Sequence, residues 1–280
     1  MVNVVGDHAT YHMRYNSPLK GDVPGVARPV SQWVRSSASA AEVATDGAAA
    51  LAAARAQNGQ IATLILPANT AWEAAEGPAP TPAPPARQRP SDAAIRAAAE
   101  ALKAPGAALL VGGAGLHGEG AERAGRIATA TGCRLLADLF VPRIERGAGA
   151  VAFERLPYPI DGIVEMLQGT RHLFLLGAKR PIAFFAYPGK PSTPEPADCP
   201  LTEICSPEMD IDWTLQALVA ELGAEAATPP RITREIPPPH TGPLTVEAAG
   251  QAIAEHLPEG AILVDESVTA GRIISPLTRH

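Results

Sequence analysis

Long, largely apolar runs, each followed or preceded by a helical segment, constrain the fold of this chain more than any single motif does. The four clearest runs are QIATLILP (60–67), AALLVGG (107–113), CRLLAD (133–138) and RHLFLLGA (171–178). Continuous apolar runs of this length are typical of strands buried on both faces, as in a parallel sheet covered by helices. The runs therefore predict an α/β fold built on parallel strands.

Helical segments alternate with these strands along most of the chain. We expect two further strands over 27–37 and 200–205, and Ser91 begins the second helix as its N-cap. Ser39 begins the first helix and has Glu42 three residues later, which is the spacing of a capping box. Regular alternation indicates a parallel, doubly wound sheet. The predicted helices cover residues 39–57, 91–104, 119–132, 159–169 and 210–223.

Two proline-rich stretches divide the chain into three parts. GPAPTPAPPARQRP (77–90) and ATPPRITREIPPPHTGP (227–243) are predicted linkers, because such compositions favour extended chain. Between them, residues 91–226 are long enough for one Rossmann-like domain. Residues 1–76 hold too few strands for a domain. Residues 244–280 hold only a helix capped by Thr245 and a predicted strand, AILVDE (261–266). We expect both outer parts to be pieces of larger α/β domains.

Composition excludes several classes of function. A hydrophobic content of 46% is enough for a packed core, and a net charge of −6 without a Lys/Arg-rich block argues against a nucleic-acid partner. The three cysteines lack metal-ligand spacing and cannot all pair with one another, which favours a reducing compartment. No run approaches the ~18 apolar residues of a membrane span, and no signal peptide is apparent. The expected location is the cytoplasm, away from any membrane.

A glycine-rich turn follows one predicted strand and opens a helix. In LLVGGAGLHGEG (109–120) the spacing is Gly113-x-Gly115-x-x-Gly118, and Asp138 ends the next strand. Such a turn lets backbone N–H groups approach a pyrophosphate, and an acid about 20 residues later binds a ribose in dinucleotide-binding domains. The alternative is a tight strand-to-helix turn that binds nothing. His117, inside the turn, is either a ligand contact or a solvated side chain.

Histidines and carboxylates mark two other candidate sites. His8 and His12 lie four residues apart, after an apolar run over Val2–Val5 that we expect to be a strand. A metal would need a third ligand, and none is nearby. We expect a loop that lines a cleft at the end of a strand, where open α/β sheets bind ligands. Asp265 and Glu266 point to opposite faces if their strand continues, so one could face a cleft while the other caps the next turn. The alternative is a purely structural capping role.

Three aromatic residues lie together in the loop KRPIAFFAYPGKPS (179–192). Phe184, Phe185 and Tyr187 are flanked by prolines and lysines. They form either a substrate-facing rim or a packed interface, and we favour the interface. A Ser-His-Asp hydrolase is not indicated, because the sequence lacks a G-x-S-x-G elbow.

The order of parts resembles that of the thiamine diphosphate-dependent enzymes. These have a pyrimidine-binding domain, a central Rossmann-like domain and a diphosphate-binding domain. The likeness covers nearly all 280 residues and is greatest to acetolactate synthase large subunits, in a group close to benzoylformate decarboxylase. The segments that carry it are NVVGDHATYH, DVPGVARPVSQWVR, QIATLILPANTAW, LLVGGAG, LLGAKRPIAFFAYPGKPS and AILVDES.

The resemblance implies a reaction and a set of site residues. It implies decarboxylation or carboligation of a small 2-oxo acid with thiamine diphosphate and Mg²⁺, in a parent protein that is a homodimer or tetramer. Glu266, Ser267 and Thr269 match the segment whose residues touch the diphosphate. His8 and His12 match a loop near the neighbouring subunit's active site, and they are the candidate catalytic residues.

The same resemblance implies that the segment is incomplete. The family's activating glutamate lies upstream of the match to Met1, and its Gly-Asp-Gly…Asn motif lies downstream of the match to His280. We therefore expect Met1 to fall inside a domain, and the isolated segment to be inactive.

Two features leave the function open within and beyond this family. Many acetolactate synthases carry a lysine where PVSQW has Gln32, and this departure argues against acetolactate synthase activity in the strict sense. The Gly112-Gly113-x-Gly115 turn would permit FAD, but decarboxylases of the family keep this domain without a flavin. The alternatives are a benzoylformate-type decarboxylase, a non-catalytic subunit, and a nucleotide-binding module that takes FAD, ADP or a CoA moiety.

Overall fold

The computed structural model describes residues 1–235, 237–267 and 269–278. They form two compact units, the first of which is Met1–Gln88, and the second begins at Arg89. Within the described part of the chain, no helix is both long enough and apolar enough to cross a membrane.

The first unit is a small parallel sheet with one long helix. Its sheet has the order β1-β3-β2, and β3 pairs in parallel with both neighbours, with Val4 opposite Leu64 and Val34 opposite Thr63. Ala50 of the long helix packs on Leu64 of the central strand. The elements in chain order are β1 (Val2–Asp7), α1 (Val23–Ala27), β2 (Trp33–Ser36), α2 (Ala40–Arg55) and β3 (Ala62–Pro67).

The predicted capping box at the start of α2 is wrong. The Ser39 side chain makes no capping hydrogen bond, although the Ser39 carbonyl accepts from the Glu42 N–H. The Glu42 carboxylate instead accepts from the Ala38 N–H at 3.4 Å.

The predicted strand over 27–37 is shorter in the structure. A short helical turn takes up part of it, and only Trp33–Ser36 pairs with β3.

The second unit has a five-stranded sheet in the order β6-β5-β4-β7-β8, with every neighbouring pair parallel. The order reverses between β4 and β7, because the chain runs outward through β5 and β6 and then returns to the other side of β4. The elements are α3 (Asp92–Ala101), β4 (Ala107–Val111), α4 (Gly118–Thr131), β5 (Arg134–Ala137), β6 (Glu154–Arg155), α5 (Ile160–Met166), β7 (His172–Leu176), β8 (Leu201–Cys205), α6 (Ile211–Leu222), α7 (Val246–His256) and α8 (Gly271–Leu277).

Helices cover both faces of this sheet, as the apolar runs predict. Alternate residues of β4 enter two separate cores: Leu109 and Val111 belong to one, and Ala108 and Leu110 to the other. All four are fully buried. The parallel α/β class is confirmed. Its physical basis is that a strand such as β4 has no polar face, so helices must cover it on both sides.

The predicted strand over 261–266 is wrong. Among the described residues, 261–267 contain no strand, and Ile262 and Val264 are 90% and 75% exposed. A strand needs a neighbour to satisfy its backbone groups, and no described strand pairs with this segment. The segment is joined to α7, whose predicted cap is present: Thr245 Oγ1 accepts from the Ala248 N–H at 3.1 Å.

Candidate functional site

A groove of about 890 Å³ opens at the carboxyl ends of β1 and β3 in the first unit. Its wall is mostly apolar, and it includes Trp72, which is 69% exposed, and Tyr11, which is 61% exposed. The lining residues are Val4, Gly6, Asp7, His8, Ala9, Tyr11, His12, Leu19, Val23, Val43, Leu66, Pro67, Ala68, Thr70, Ala71 and Trp72. Clefts at this edge of a parallel sheet are the usual ligand sites of α/β proteins.

Both histidines singled out in the sequence lie in this groove. The imidazole rings of His8 and His12 have their centroids 5.7 Å apart, and the His12 ring lies 5.5 Å from that of Tyr15. The loop turns tightly between them, because the Ala9 carbonyl accepts from the His12 N–H at 2.8 Å. The structure places these imidazoles beside an apolar wall, and their catalytic role stays a prediction.

Metal binding by the two histidines finds no support in the described residues. Among them, no group of three or more His, Cys, Asp or Glu side chains is placed to hold a metal ion. The Asp7 carboxylate beside His8 accepts from the His8 backbone N–H at 2.7 Å.

Asn69 holds the histidine loop (residues 8–12), and it was not among the predicted site residues. Its side chain is buried, at 4% exposure, and its Oδ1 accepts from the Thr10 N–H at 2.8 Å. Its Nδ2 donates to Glu73 Oε1 at 2.9 Å. The signal in the sequence was a polar residue two positions after an apolar strand, at the edge where ligands bind.

Gln32 lies at the other end of the same sheet. Its Oε1 accepts from the Ile61 N–H at 3.0 Å, and its backbone N–H donates to the Ile61 carbonyl at 3.0 Å. Ile61 precedes β3, so this pair lies at the amino end of the strand whose carboxyl end borders the groove. In this chain Gln32 therefore satisfies backbone groups at the start of the sheet.

The glycine turn after β4 is packed against its neighbours in the second unit. A Cβ at Gly112 would lie 2.3 Å from the Gly177 carbonyl oxygen, and one at Gly115 would lie 2.4 Å from Val111 Cγ1. Gly113 has φ +54°, and Ile211 Cδ1 lies 3.1 Å from where its Cβ would be. Packing alone thus accounts for glycine at Gly112, Gly113 and Gly115, and cofactor binding there stays a prediction.

Of the two residues singled out beside the glycine turn, only Asp138 has a local role in the structure. His117 precedes α4 and makes no capping hydrogen bond with its side chain. Asp138 Oδ1 accepts from the Leu139 N–H at 2.7 Å, which commits that oxygen to its own turn. Burial raises the pKa of the Asp138 carboxyl above its ordinary value, although the Leu139 and Phe140 N–H groups and the Arg155 charge lower it in part.

The pKa of Asp138 predicts a pH effect on stability. A carboxyl whose folded pKa is raised contributes its full stability below the unfolded pKa, about 3.9, and loses it as pH rises through the folded value. Asp138→Asn keeps the acceptor oxygen and removes the charge. We expect the melting temperature of Asp138→Asn to exceed that of the unsubstituted chain at pH 7, and the difference to vanish at pH 3.5.

Thermal unfolding followed by circular dichroism between pH 3.5 and 7 measures this effect. The matched control is Glu225→Gln, which neutralises an exposed carboxylate of the same unit. A melting temperature for Asp138→Asn that tracks the unsubstituted chain at every pH would contradict the prediction.

The predicted diphosphate segment is turned inward on itself. Asp265 Oδ1 accepts from both the Ser267 hydroxyl at 2.6 Å and the Ser267 N–H at 2.9 Å. These two hydrogen bonds lower the pKa of the Asp265 carboxyl. Glu266, Ser267 and Thr269 are exposed. The Thr269 carbonyl accepts from the Arg272 N–H at 3.3 Å.

These residues do not by themselves fit a thiamine diphosphate. Both donors of Ser267 are used by Asp265, and the Glu266 carboxylate would repel a diphosphate. Asp265 caps this turn, which is the role expected for one residue of the acidic pair. The cofactor roles of Glu266, Ser267 and Thr269 therefore stay predictions about a larger protein.

The three loop aromatics form part of an exposed cluster in the second unit. Phe184 lies 5.5 Å from Tyr158, 5.7 Å from Phe140 and 4.6 Å from Phe185, measured between ring centroids. The Arg272 guanidinium lies 4.4 Å from the centre of the Tyr158 ring. Phe184 and Phe185 remain 54% and 56% exposed. They pack on one another, which leaves the choice between a rim and an interface open.

Comparison with known proteins gives the chain its relatives. It is 42% identical over 283 aligned residues to a Mycobacterium tuberculosis (strain ATCC 25618 / H37Rv) protein named "Putative acetolactate synthase large subunit IlvX". The match covers 99% of this chain and 53% of that protein, so the chain spans about half the length of the curated relative. A comparison with models of known protein families finds no match.

Solved structures show the same fold. Benzoylformate decarboxylase from Polynucleobacter necessarius superimposes with a TM-score of 0.75 at 19% identity, covering 99% of this chain and 55% of that one. The thiamine diphosphate-dependent 4-hydroxybenzoylformate decarboxylase of Rhodococcus jostii RHA1 superimposes with a TM-score of 0.76 at 17% identity, covering 98% and 55%. The expected resemblance is confirmed in sequence by the first relative and in fold by these two.

Proposed function

We propose that this chain, a relative of the acetolactate synthase-like and benzoylformate decarboxylase-like enzymes that depend on thiamine diphosphate, is a segment of an enzyme that decarboxylates or carboligates 2-oxo acids. The observation that carries the proposal is the 42% identity over 99% of the chain to a protein named as an acetolactate synthase large subunit. The groove that holds His8 and His12 supports it, because it lies at the ligand-binding edge of the sheet.

We propose that this chain contributes the groove and the imidazoles of His8 and His12 to the active site. Imidazole is the side chain whose charge changes nearest to neutral pH, so a histidine can hold or move a proton beside a reacting carboxylate. The apolar wall formed by Leu66 and Trp72 would accommodate the side chain of a 2-oxo acid. His8 and His12 would then orient the acid and exchange protons with it.

The proposed parent protein supplies the rest. Thiamine diphosphate and Mg²⁺ are the cofactors that the relatives imply, and the residues of this chain do not form their site alone. We further propose a homodimer or tetramer in the cytoplasm. Cys133 and Cys199 carry free thiols, which suits a reducing compartment.

The chain by itself is expected to lack catalytic activity. With thiamine diphosphate and Mg²⁺ added, the purified 280-residue chain should release no CO₂ from pyruvate or benzoylformate above the rate without protein. Titration with the cofactor pair in a calorimeter should give no saturable heat at micromolar concentrations. A complete benzoylformate decarboxylase run in parallel is the control for both assays. Robust turnover by the 280-residue chain would contradict the proposal that it holds only part of the site.

A benzoylformate-type decarboxylase is the second candidate. Gln32 favours it, because many acetolactate synthases carry a lysine at this position, whereas here the side chain accepts a hydrogen bond from the Ile61 N–H. The products separate the two activities: acetolactate from pyruvate indicates carboligation, and benzaldehyde from benzoylformate indicates simple decarboxylation. Saturable binding of FAD, ADP or coenzyme A without any turnover would instead favour a nucleotide-binding module.

A further inference from the structure

The histidine loop is tied to the end of β3 through one side-chain amide. Thr10 lies between His8 and His12, and its N–H donates to Asn69 Oδ1 at 2.8 Å. Asn69 belongs to the turn that follows β3, 59 residues away in the sequence. This hydrogen bond therefore joins the carboxyl ends of two adjacent strands, β1 and β3, at the groove.

The orientation of the Asn69 amide follows from the chemistry of its two partners. A backbone N–H can only donate, and an ionised carboxylate can only accept. The Asn69 oxygen must therefore face Thr10, and its NH₂ group must face Glu73, whose Oε1 lies 2.9 Å away. A flipped amide would place two donors together at Thr10 and two acceptors together at Glu73.

The backbone of Asn69 is held as firmly as its side chain. Its carbonyl accepts from the N–H groups of Trp72 and Glu73, each at 3.1 Å. The residue is 4% exposed, so water cannot replace a lost partner without entry into the turn. The Asn69 side chain thus starts from a fixed backbone and ends on a defined atom of the histidine loop.

We propose that Asn69 is a positioning residue that sets His8 and His12 at the groove, with Glu73 fixing the orientation of its amide. This inference rests on the proposed function for its catalytic meaning, because it assigns a role to the same groove. The contacts of the Asn69 side chain run to the loop and to Glu73. If Asn69 only stabilised the turn after β3, its replacement would leave the environment of the imidazoles unchanged.

Asn69→Asp is the informative substitution. It keeps an acceptor for the Thr10 N–H but removes the donor to Glu73 and places two carboxylates side by side. Repulsion between the two carboxylates is expected to turn the residue 69 side chain away from Thr10. The hydrogen exchange of the Thr10 amide should then be roughly tenfold faster, which is the size of one lost, partly buried hydrogen bond. The side-chain NMR signals of His8 and His12 should shift at the same time.

The double variant Asn69→Asp with Glu73→Gln should restore the loop. A glutamine at residue 73 donates an amide proton to the aspartate, and the aspartate still accepts from Thr10. Both hydrogen bonds therefore return, with the direction reversed only in the one between residues 69 and 73. We expect Thr10 exchange within about twofold of the unsubstituted chain, and recovery of both imidazole signals. Glu73→Gln alone is the matched control, because its side-chain oxygen still accepts from Asn69.

Nuclear magnetic resonance of the whole 280-residue chain reads all of these outcomes. The amide of Leu64 in β3 serves as an internal reference, so that unfolding of the unit is recognised as loss of protection there too. If Asn69→Asp unfolds the unit, recovery in the double variant still tests the pairing. Unchanged Thr10 exchange and imidazole signals in a folded Asn69→Asp would overturn the proposal, and so would failure of the double variant to restore them.

A titration with a 2-oxo acid separates this inference from the proposed function. Benzoylformate is added to the unsubstituted chain while the same imidazole signals are followed. Perturbation by Asn69→Asp without any response to benzoylformate leaves the positioning role standing and counts against the proposed substrate. A response to benzoylformate with no effect of Asn69→Asp supports the proposed substrate and overturns the positioning role of Asn69.

Discussion

Replacement of Gly112 by alanine is expected to lower the free energy of unfolding of the second unit by about 3 kcal/mol, at the upper end of the usual cost of overpacking. The added Cβ would lie 2.3 Å from the Gly177 carbonyl oxygen and 3.1 Å from Ala178 Cα. Both obstacles are backbone atoms, so no flexible side chain can move aside. The Gly112 N–H also donates to the Leu176 carbonyl at 3.0 Å, which ties the turn to the neighbouring strand β7.

Gly118 supplies a matched control within the same motif. It has φ +53°, but nothing lies within 4 Å of where its Cβ would be. Gly118→Ala should therefore cost only about 1 kcal/mol, the price of left-handed backbone for a residue with a side chain. Urea unfolding followed by circular dichroism gives both values. Equal losses for the two variants would contradict the packing explanation of the glycine turn.

Strands β4, β5 and β7 of the second unit could be predicted because they are almost entirely apolar. The two-residue strand β6 was not predicted, since both of its residues are polar and exposed. Leu109 and Val111 enter one core and Leu110 enters the other, so the apolar run has no polar face and can only lie in the middle of a layered sheet. The same reasoning placed the loop histidines, since His8 and His12 follow a strand and the carboxyl edge of a sheet is where loops form clefts.

The segment 261–266 shows where this reasoning fails. Its composition suits a strand as well as that of β4 does, yet a strand also requires a partner, and local composition does not reveal whether one is present. Asn69 was missed for a related reason. Its role depends on the Thr10 N–H and on Glu73, and the first of these contacts spans 59 residues of sequence.

The glycine motif shows a third kind of limit. The spacing of Gly113, Gly115 and Gly118 suits both a dinucleotide site and a tightly packed turn, because close approach of a ligand and close approach of backbone require the same small residue. Only the positions of Gly177 and Ile211 reveal that packing is sufficient in this chain.

Loss of both groove histidines is expected to have the largest effect on activity. In the polypeptide that the whole gene encodes, the double variant His8→Ala with His12→Ala should lower kcat/KM for a 2-oxo acid by about 10²-fold, the usual contribution of positioned proton-transfer groups. The rings lie on an exposed loop whose backbone is held by Ala9 and Asn69, so the fold should survive. Replacement of Tyr15, which lies beside His12 but does not line the groove, by phenylalanine is the matched control.

The most direct test is CO₂ release from pyruvate and from benzoylformate by that full-length polypeptide, measured with and without thiamine diphosphate and Mg²⁺. The predicted result is release that requires the added cofactors, falls about 10²-fold in the double histidine variant and is unchanged by Tyr15→Phe. Cofactor-dependent release that is the same with and without His8 and His12 would contradict the assignment of the groove. No release from either 2-oxo acid by the folded, cofactor-supplied protein would contradict the proposed function itself.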